Sequence, residues 1–272
     1  MTFLRSWARR RLEASGYIVA QKQKLQAALE ANGYMLFNRR SAGIHAHDGL
    51  YTYNLTRFAE DPDFQSAYRR GIQASHGVDP QTEWRIHVAI WAARQAARAE
   101  GDFVECGVNA GFTSSAILHA LDWNRLGRQF YLVDTFAGPV LSQFSEAEIR
   151  QGRKQVAEDA AAQGGYVTDI GRIRANFAEW PSVHLVQDAV PGALSQVPAR
   201  RLAFLHLDMN AALPERAALE YFWDKLSPGA MVLLDDYARY GYAQLQEAID
   251  EAARARGAAV LSLPTGQGLI QK

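Results

Sequence analysis

The stretch "GDFVECGVNAGF", residues 101–112, decides the fold, because a strand pattern turns into a helix pattern within it. Residues 103–106 form a short, mostly apolar run, as expected of a buried strand, and glycines follow at positions 107 and 111. Glycine allows a tight turn and a close approach of ligand to backbone where the helix begins. Glycine is also common at strand-to-helix turns that bind nothing, so both interpretations stay open. The spacing differs from G-x-G-x-x-G, which argues against a dinucleotide pyrophosphate.

Apolar runs and helical patterns alternate through the rest of the chain. The predicted strands are residues 103–106, 130–134, 183–187, 202–207, 231–234 and 260–263. The predicted helices between them cover residues 112–124, 168–178, 215–226 and 240–256. Apolar strands separated by helices predict a mostly parallel sheet with right-handed crossovers. The final "LSLPTGQGLIQK" predicts a hairpin, which would set the last strand antiparallel to its neighbour.

The beginning of the chain is less regular. It contains short helical patterns and an irregular segment with glycine, asparagine and tyrosine around residues 32–54. A regular helix pattern then follows, and one face of it is predicted to carry Trp84, Val88, Trp91 and Ala92. We therefore predict a helical and irregular N-terminal extension over residues 1–81 and a catalytic domain over residues 82–272.

The irregular segment is the predicted lid over an acceptor substrate. It contains His45, His47, Asp48, Tyr51 and Tyr53. The two histidines form an H-x-H pair, which we interpret as part of a solvated loop rather than as a metal site.

Composition excludes several classes of partner. The 272 residues include 29 Lys and Arg and 29 Asp and Glu, so no overall positive charge favours nucleic acid. The single cysteine, Cys106, excludes an intramolecular disulfide and suits a reducing cytoplasm. No window approaches the roughly 18 apolar residues of a membrane span. We expect a cytoplasmic, enzyme-sized chain without stable membrane insertion. The sequence leaves open whether it forms a homo-oligomer.

Carboxylates stand at the ends of five consecutive predicted strands. Ligands of open α/β sheets bind outside the carboxyl ends of the strands, so these residues indicate a site. Asp134 ends the second strand, where an acidic side chain is the usual acceptor for a ribose diol. Asp188 ends the third, where its carboxylate would accept from an exocyclic amine such as that of adenine, or cap the next helix. The sequence therefore predicts a ligand that contains a nucleoside.

The stretch "VLLDDY", residues 232–237, runs a buried strand into two adjacent carboxylates. Asp235 and Asp236 repel each other in a low dielectric unless a cation lies between them. With Asp208 at the end of the neighbouring strand they suit a hard divalent cation such as Mg²⁺. Only His206 is near them in sequence, which disfavours zinc. The alternative is that the pair only opens a loop or caps a helix.

Four blocks together resemble a known family. "FVECGVNAG", "FYLVDTFAGP", "LAFLHLDMN" and "GAMVLLDDYARYGY" are similar to blocks of the macrocin-type O-methyltransferases, the TylF family, which methylate antibiotic sugars. The resemblance covers residues 82–272. It implies a Rossmann-like class I methyltransferase fold with a seven-stranded, mostly parallel sheet and an antiparallel C-terminal strand. It also implies methyl transfer from S-adenosylmethionine, assisted by Mg²⁺ or another divalent cation, to a hydroxyl of a sugar or natural product.

The resemblance also implies roles for individual residues. The implied cofactor-binding residues are Glu105, Gly107, Asn109, Gly111, Asp134, Thr135, Phe136, Asp188, Ala189 and Asp208. The implied metal ligands are Asp208, Asp235 and Asp236. Asp208 and Asn210 are the catalytic candidates.

Position 210 departs from the family pattern. Family members resemble "HLDVDLYEPT" where this chain has "HLDMNAALPE", so Asn210 replaces an acid that is the family's candidate general base. An amide cannot accept the proton. Either a metal acidifies the hydroxyl, with Asp208 or a residue of the first 80 as proton acceptor, or the acceptor substrate differs.

Two other functions stay open. An NAD-dependent oxidoreductase would share glycine and aspartate at strand ends, although the glycine spacing and the C-terminal hairpin disfavour it. A non-catalytic S-adenosylmethionine-binding protein would explain the missing acid at Asn210. Turnover of a hydroxylated acceptor distinguishes the second from a methyltransferase.

Overall fold

Seven strands form the central sheet within residues 45–52 and 54–272, the part of the chain that the computed structural model describes. Two short strands, β1 (His45–His47) and β2 (Leu50–Thr52), pair separately. The strands of the central sheet are β3 (Asp102–Cys106), β4 (Phe130–Asp134), β5 (Val183–Gln187), β6 (Leu202–Leu207), β7 (Leu226–Leu234), β8 (Leu261–Ser262) and β9 (Gly268–Gln271). Their order is β5-β4-β3-β6-β7-β9-β8.

The sheet confirms the predicted fold class. β3, β4, β5, β6 and β7 pair in parallel, and β9 runs antiparallel to both β7 and β8. Cys106 is in register with Val133 and Leu207, and Leu207 is in register with Leu234. The residues that follow these strands therefore meet at one edge of the sheet. This edge brings the predicted carboxylates together.

Helices flank the sheet, as the alternation predicts. They are α1 (Pro62–Ala74), α2 (Glu83–Ala96), α3 (Phe112–Ala120), α4 (Glu146–Arg150), α5 (Arg153–Ala162), α6 (Ile170–Asn176), α7 (Ala212–Phe222) and α8 (Ala243–Arg254). The sequence did not predict α4 and α5, because neither has a continuous apolar stripe; Glu148 and Ala157 are their buried residues. Ser145 and Glu148 instead form a capping box that starts α4.

Of the four residues predicted to share one face of α2, Trp91 is the exposed one. The side chain of Trp91 is 48% exposed, whereas Ile86, Ala89 and Ala93 are buried. The small alanines let the helix backbone approach the sheet closely, and the large indole lies outside that contact. Arg85 is also on the buried face, although it carries a charge.

Two apolar layers cover the two faces of the sheet, and the alternation of side chains along the strands assigns residues to each. Val104 and Leu205 belong to one layer, and Phe103 and Phe204 to the other. The second face also carries Glu105 and His206, which are 2% and 0% exposed. Charged groups at such positions need partners in the structure, because burial of an unpaired charge is costly.

The domain boundary at residue 82 and the lid stay predictions. Residues 1–44 and Tyr53 lie outside the described residues, and with them most of the predicted extension. In the described part of the chain, no helix is both long and apolar enough to cross a membrane.

Candidate active site at the carboxyl edge of the sheet

A cavity of about 150 Å³ opens at the carboxyl edge of the sheet. Predicted site residues that line it are Gly107, Asn109, Asp134, Thr135, Asp188, Ala189, Asp208 and Asn210. The predicted cofactor residues Glu105, Gly111 and Phe136 are not among its lining residues, all of which are described. The cavity thus brings together most, but not all, of the predicted cofactor-binding residues.

Asp134 holds the glycine-rich loop in place. Its Oδ2 accepts hydrogen bonds from the backbone N–H groups of Val108 (2.7 Å) and Asn109 (2.9 Å), and its Oδ1 accepts from the N–H of Phe136 (2.8 Å). The Thr135 hydroxyl lies 3.4 Å from Oδ1 but donates to the carbonyl of Gly138 at 2.8 Å, so one of the about four lone-pair sites of the carboxylate remains. Asp134 therefore fixes the loop shape and also faces the space where a ribose is predicted.

Gly107 lies where two strand ends approach too closely for a side chain. Its φ is +90°, and a Cβ atom built there would lie 2.0 Å from the backbone oxygen of Asp208. The N–H of Asp208 donates to the carbonyl of Cys106 (2.8 Å), which holds the two ends together. Gly111 has a comparable packing reason, since a Cβ there would lie 2.4 Å from the ring of Phe177.

Asn109 ties a distant loop to the cavity. Its Nδ2 donates to the carbonyl of Gly165 (2.9 Å), and its Oδ1 accepts from the N–H of Val167 (2.8 Å). Between these contacts lies Tyr166, which lines the cavity. Burial and the nearby charge of Asp208 raise the pKa of the Tyr166 hydroxyl. Sequence reasoning missed Tyr166, because it follows no strand and belongs to no pattern.

Asp188 faces the cavity without capping a helix. Its Oδ1 accepts from the N–H of Ala189 (2.7 Å), and its Oδ2 accepts from Nε2 of Gln196 (2.7 Å). The short 3₁₀ helix Gly192–Gln196 that follows has no side-chain cap at its first turn. Of the two interpretations open from the sequence, helix capping is therefore not observed.

The acidic pair has a basic partner that sequence reasoning missed. Nη1 of Arg85 donates to Oδ2 of Asp235 (2.5 Å) and to Oδ1 of Asp236 (3.2 Å), and Nε donates to Asp48. Oδ1 of Asp235 accepts from Nε2 of Gln267 (2.9 Å). A charged residue on the otherwise apolar face of α2 is the sequence feature that would have identified Arg85.

Asp208 completes the cluster, and no basic side chain among the described residues forms an ion pair with it. Carboxylate oxygens of Asp208, Asp235 and Asp236 lie within 4.8 Å of one another. Burial, with the charges of Asp235 and Asp236, raises the pKa of Asp208 well above its usual value. Burial alone would raise the pKa of Asp235 as well, but Arg85 and then His206 hold it below its usual value. The two carboxylates therefore differ in proton affinity although they are neighbours.

His206 is a buried cation between two carboxylates. Its Nδ1 is 3.1 Å from Oε1 of Glu105, and its Nε2 is 3.9 Å from Oδ1 of Asp235. Burial opposes the charged form, yet the nearby carboxylates of Asp235 and Glu105 outweigh it and raise the pKa of His206 to about 10. Glu105 thus neutralises a buried imidazolium from within the sheet.

Asn210 is held in place by neighbours on three sides. Its Nδ2 donates to Oδ1 of Asp208 (3.3 Å), and its Oδ1 accepts from the hydroxyl of Tyr242 (2.6 Å). Oε1 of Glu215 accepts from the backbone N–H groups of Met209 and Asn210, both at 3.0 Å. Burial, with the charge of Asp236, raises the pKa of Glu215 to about 8. The amide thus orients the carboxylate of Asp208.

The charges of this cluster fit a divalent cation. Five carboxylates, Asp48, Glu105, Asp208, Asp235 and Asp236, face the three cations Arg85, His206 and Arg239. The five carboxyl groups outnumber these three basic side chains by two. Three convergent carboxylates with that excess are a donor set that Mg²⁺ prefers.

Comparison with protein families gives a match over the centre of the chain. Residues 104–237 match the family described as a methyltransferase domain. A curated relative from Streptomyces olivaceus is 8-demethyl-8-(2,3-dimethoxy-alpha-L-rhamnosyl)-tetracenomycin-C 4'-O-methyltransferase. It is 32% identical over 150 residues, which cover 51% of this chain and 53% of the relative. The match thus spans about half the length of that protein.

Solved structures share the fold. The O-methyltransferase NovP has a TM-score of 0.58 at 20% identity, covering 75% of this chain and 88% of that chain. CalS11, a calicheamicin methyltransferase, has a TM-score of 0.54 at 16% identity, covering 81% of this chain and 94% of that chain. These structural comparisons confirm the predicted fold.

Proposed function

We propose that this chain, whose residues 104–237 match the methyltransferase-domain family, is an S-adenosylmethionine-dependent O-methyltransferase that acts on a hydroxyl of a small sugar or natural product. The observation that carries the proposal is the cavity at the carboxyl edge of the sheet, lined by Asp134, Asp188 and the backbone of Gly107. The rhamnosyl substrate in the name of the curated relative supports a sugar-like acceptor.

The cofactor would lie along this cavity from β3 to β5. Asp134 would accept from the ribose hydroxyls, and Asp188 would accept from the adenine amine. Asn109, Thr135 and Ala189 also line the cavity. Thr135 and Ala189 directly follow the two carboxylates in sequence, and the backbone N–H of Asn109 donates to Asp134. When bound, S-adenosylmethionine supplies a methyl group on a sulfonium, which an acceptor oxygen attacks in line.

Asp208, Asp235 and Asp236 would hold Mg²⁺ or another divalent cation. When bound, such an ion supplies Lewis-acid chemistry that orients oxygens and favours a deprotonated hydroxyl. Their convergence within 4.8 Å and the excess negative charge around them support this assignment. Removal of the metal with a chelator should stop methyl transfer without loss of cofactor binding.

Asp208 is the residue that would take the proton from the acceptor hydroxyl. A general base must lie within hydrogen-bond reach of the proton that it takes. The carboxylate lines the cavity, and the amide of Asn210 orients it through one hydrogen bond. The sequence left open either Asp208 or a residue of the first 80 as the proton acceptor. This arrangement favours Asp208.

Calorimetry with S-adenosylhomocysteine and with NAD tests the proposal. We expect binding of S-adenosylhomocysteine and much weaker or no binding of NAD; the reverse order would overturn it in favour of an oxidoreductase. A turnover screen with rhamnose-containing and other hydroxylated acceptors then tests catalysis. Cofactor binding without turnover of any acceptor in excess Mg²⁺ would favour the non-catalytic alternative.

Other properties stay predictions from the sequence. The equal numbers of acidic and basic residues argue against a nucleic-acid partner, and the single cysteine suits the cytoplasm. A homo-oligomer is untested.

A further inference from the structure

We propose that Arg85 competes with the divalent cation for the Asp235 and Asp236 carboxylates, so that the arginine ion pair and the bound metal are alternative states of the site. The inference rests on the metal-binding part of the proposed function. It gives Arg85 the role of a positioning residue that sets metal affinity.

The competition follows from the oxygens that Arg85 occupies. Nη1 of Arg85 lies 2.5 Å from Oδ2 of Asp235, 3.2 Å from Oδ1 of Asp236 and 2.9 Å from the backbone oxygen of Asp235. A Mg²⁺ ion binds carboxylate oxygens at about 2.0 to 2.1 Å. An ion bound to the two facing oxygens would therefore lie against the guanidinium nitrogen, and the two positive charges would repel each other.

The other oxygen of Asp235, Oδ1, also has neighbours that a bound ion would meet. Oδ1 of Asp235 accepts from Nε2 of Gln267 at 2.9 Å and lies 3.9 Å from Nε2 of His206. Both oxygens of Asp235 thus have partners in the described structure. Metal binding at Asp235 must displace one of them, and Arg85 carries the charge that opposes the ion directly.

Arg85 has a second carboxylate that would keep it paired after displacement. Its Nε donates to Asp48, a contact that does not involve the two metal candidates. Arg239 also lies between Asp48 and Asp236, at 3.5 Å and 3.3 Å. Nη1 can therefore leave Asp235 and Asp236 while the guanidinium stays neutralised. The side chain is 6% exposed, so solvent does not provide that neutralisation.

In the metal-free protein, Arg85 prevents repulsion between the adjacent carboxylates. The same contact lowers the affinity for the metal, because the ion must replace an existing ion pair rather than enter a site of bare negative charge. Loss of the positive charge at position 85 is therefore expected to tighten metal binding. A merely structural role for Arg85 would not have this effect.

Titration of Mg²⁺ by calorimetry, without cofactor or acceptor, tests the proposal. The proteins are the parent chain, Arg85→Gln, Arg85→Lys and the control Arg94→Gln, which removes an exposed arginine of the same helix. We expect Arg85→Gln to bind Mg²⁺ at least about tenfold more tightly than the parent, a coupling of ordinary size. We expect Arg85→Lys to lie between them and Arg94→Gln to match the parent.

Equal or weaker Mg²⁺ binding by Arg85→Gln would overturn the proposal, as would absence of binding in every protein. If Arg85→Gln does not fold, Arg85→Lys decides: tighter binding than the parent supports competition, and equal or weaker binding overturns it. S-adenosylhomocysteine binding measured on the same samples separates the two proposals. If the chain binds S-adenosylhomocysteine but no Mg²⁺, the competition proposal fails, whereas the proposed methyltransferase function stands without a metal.

Discussion

Arg85 and Asp235, which are 150 residues apart in the chain, are joined by a hydrogen bond of 2.5 Å and by a second contact from the same nitrogen to the backbone oxygen of Asp235. Arg85 belongs to α2, outside the segment that matches the methyltransferase-domain family, whereas Asp235 is inside it. The candidate site therefore depends on a helix that precedes the family segment. A fragment starting near residue 104 would leave the acidic pair without this partner.

Replacement of Arg85 by leucine should strongly destabilise the protein. The change removes the cation that contacts both Asp235 and Asp236, and loss of one partner of a buried ion pair costs about 3 to 5 kcal/mol. Urea unfolding monitored by tryptophan fluorescence measures the loss. The control Arg94→Leu should change the free energy of unfolding by less than about 0.5 kcal/mol. A similar small change in both variants would show that Arg85 is not needed to neutralise the pair.

Gly107→Ala should prevent stable folding or remove cofactor binding, since its Cβ would meet the backbone oxygen of Asp208 at 2.0 Å. Overpacking against backbone and the positive φ together should cost about 3 kcal/mol or more. Gly127→Ala is the matched control, because Gly127 also has a positive φ (+65°) but has nothing within 4 Å of its added Cβ. Equal melting temperatures for the two variants would contradict the close approach of β3 and β6.

Asp134→Ala should weaken S-adenosylhomocysteine binding by at least about tenfold and also lower stability. The carboxylate accepts three backbone hydrogen bonds that hold the loop after β3, and a hydrogen bond to a charged group contributes roughly 1.5 to 3 kcal/mol. Calorimetry gives the affinity. Asp122→Ala, which removes an exposed carboxylate paired only with Arg125 in the described contacts, should bind like the parent. An Asp134→Ala protein with parental affinity would exclude Asp134 from the cofactor site.

Local patterns predicted the sheet well, and pairings between distant residues account for what they missed. The bounds of β4, β5 and β6 match the prediction, because buried strands have continuous apolar runs with clear ends. Arg85 and Tyr166 were missed, since their roles depend on contacts with residues far along the chain. The predicted metal ligands Asp208, Asp235 and Asp236 lie together, and their metal-binding role stays a prediction. The sequence did not predict that Arg85 already pairs with two of them.

Cys106 should not react with a thiol reagent in the native protein at neutral pH. The side chain is fully buried, and burial followed by the charge of Glu105 raises the pKa of the thiol far above neutrality, so the reactive thiolate is absent. The measurement is absorbance after addition of a disulfide reagent, with and without denaturant. We expect one thiol per chain in denaturant and none in the folded protein. Rapid labelling of the folded protein would show that this part of β3 opens to solvent.

Asn210→Asp should slow methyl transfer, although it restores the acid of the antibiotic-tailoring family. The amide now donates to Asp208 and accepts from Tyr242, and an added carboxylate would lose the first bond and repel Asp208. A nearby negative charge raises a carboxyl pKa further, so the acidic limb of the rate profile should move to higher pH. The φ of Asn210 is +61°, which aspartate also tolerates, so the fold should survive.

The measurement for Asn210→Asp is kcat against pH with the acceptor found in the turnover screen, with affinity for S-adenosylhomocysteine as a check on the cofactor site. Tyr242→Phe is the matched control, because it removes one hydrogen bond to Asn210 without adding charge. It should lower the rate less and leave the pH profile in place. A faster Asn210→Asp enzyme on a sugar diol would mean that the missing acid limits that reaction and that the native acceptor has a more acidic hydroxyl, such as a phenol. Unchanged rates at every pH would place residue 210 outside the chemistry, and the orienting role of its amide would be wrong.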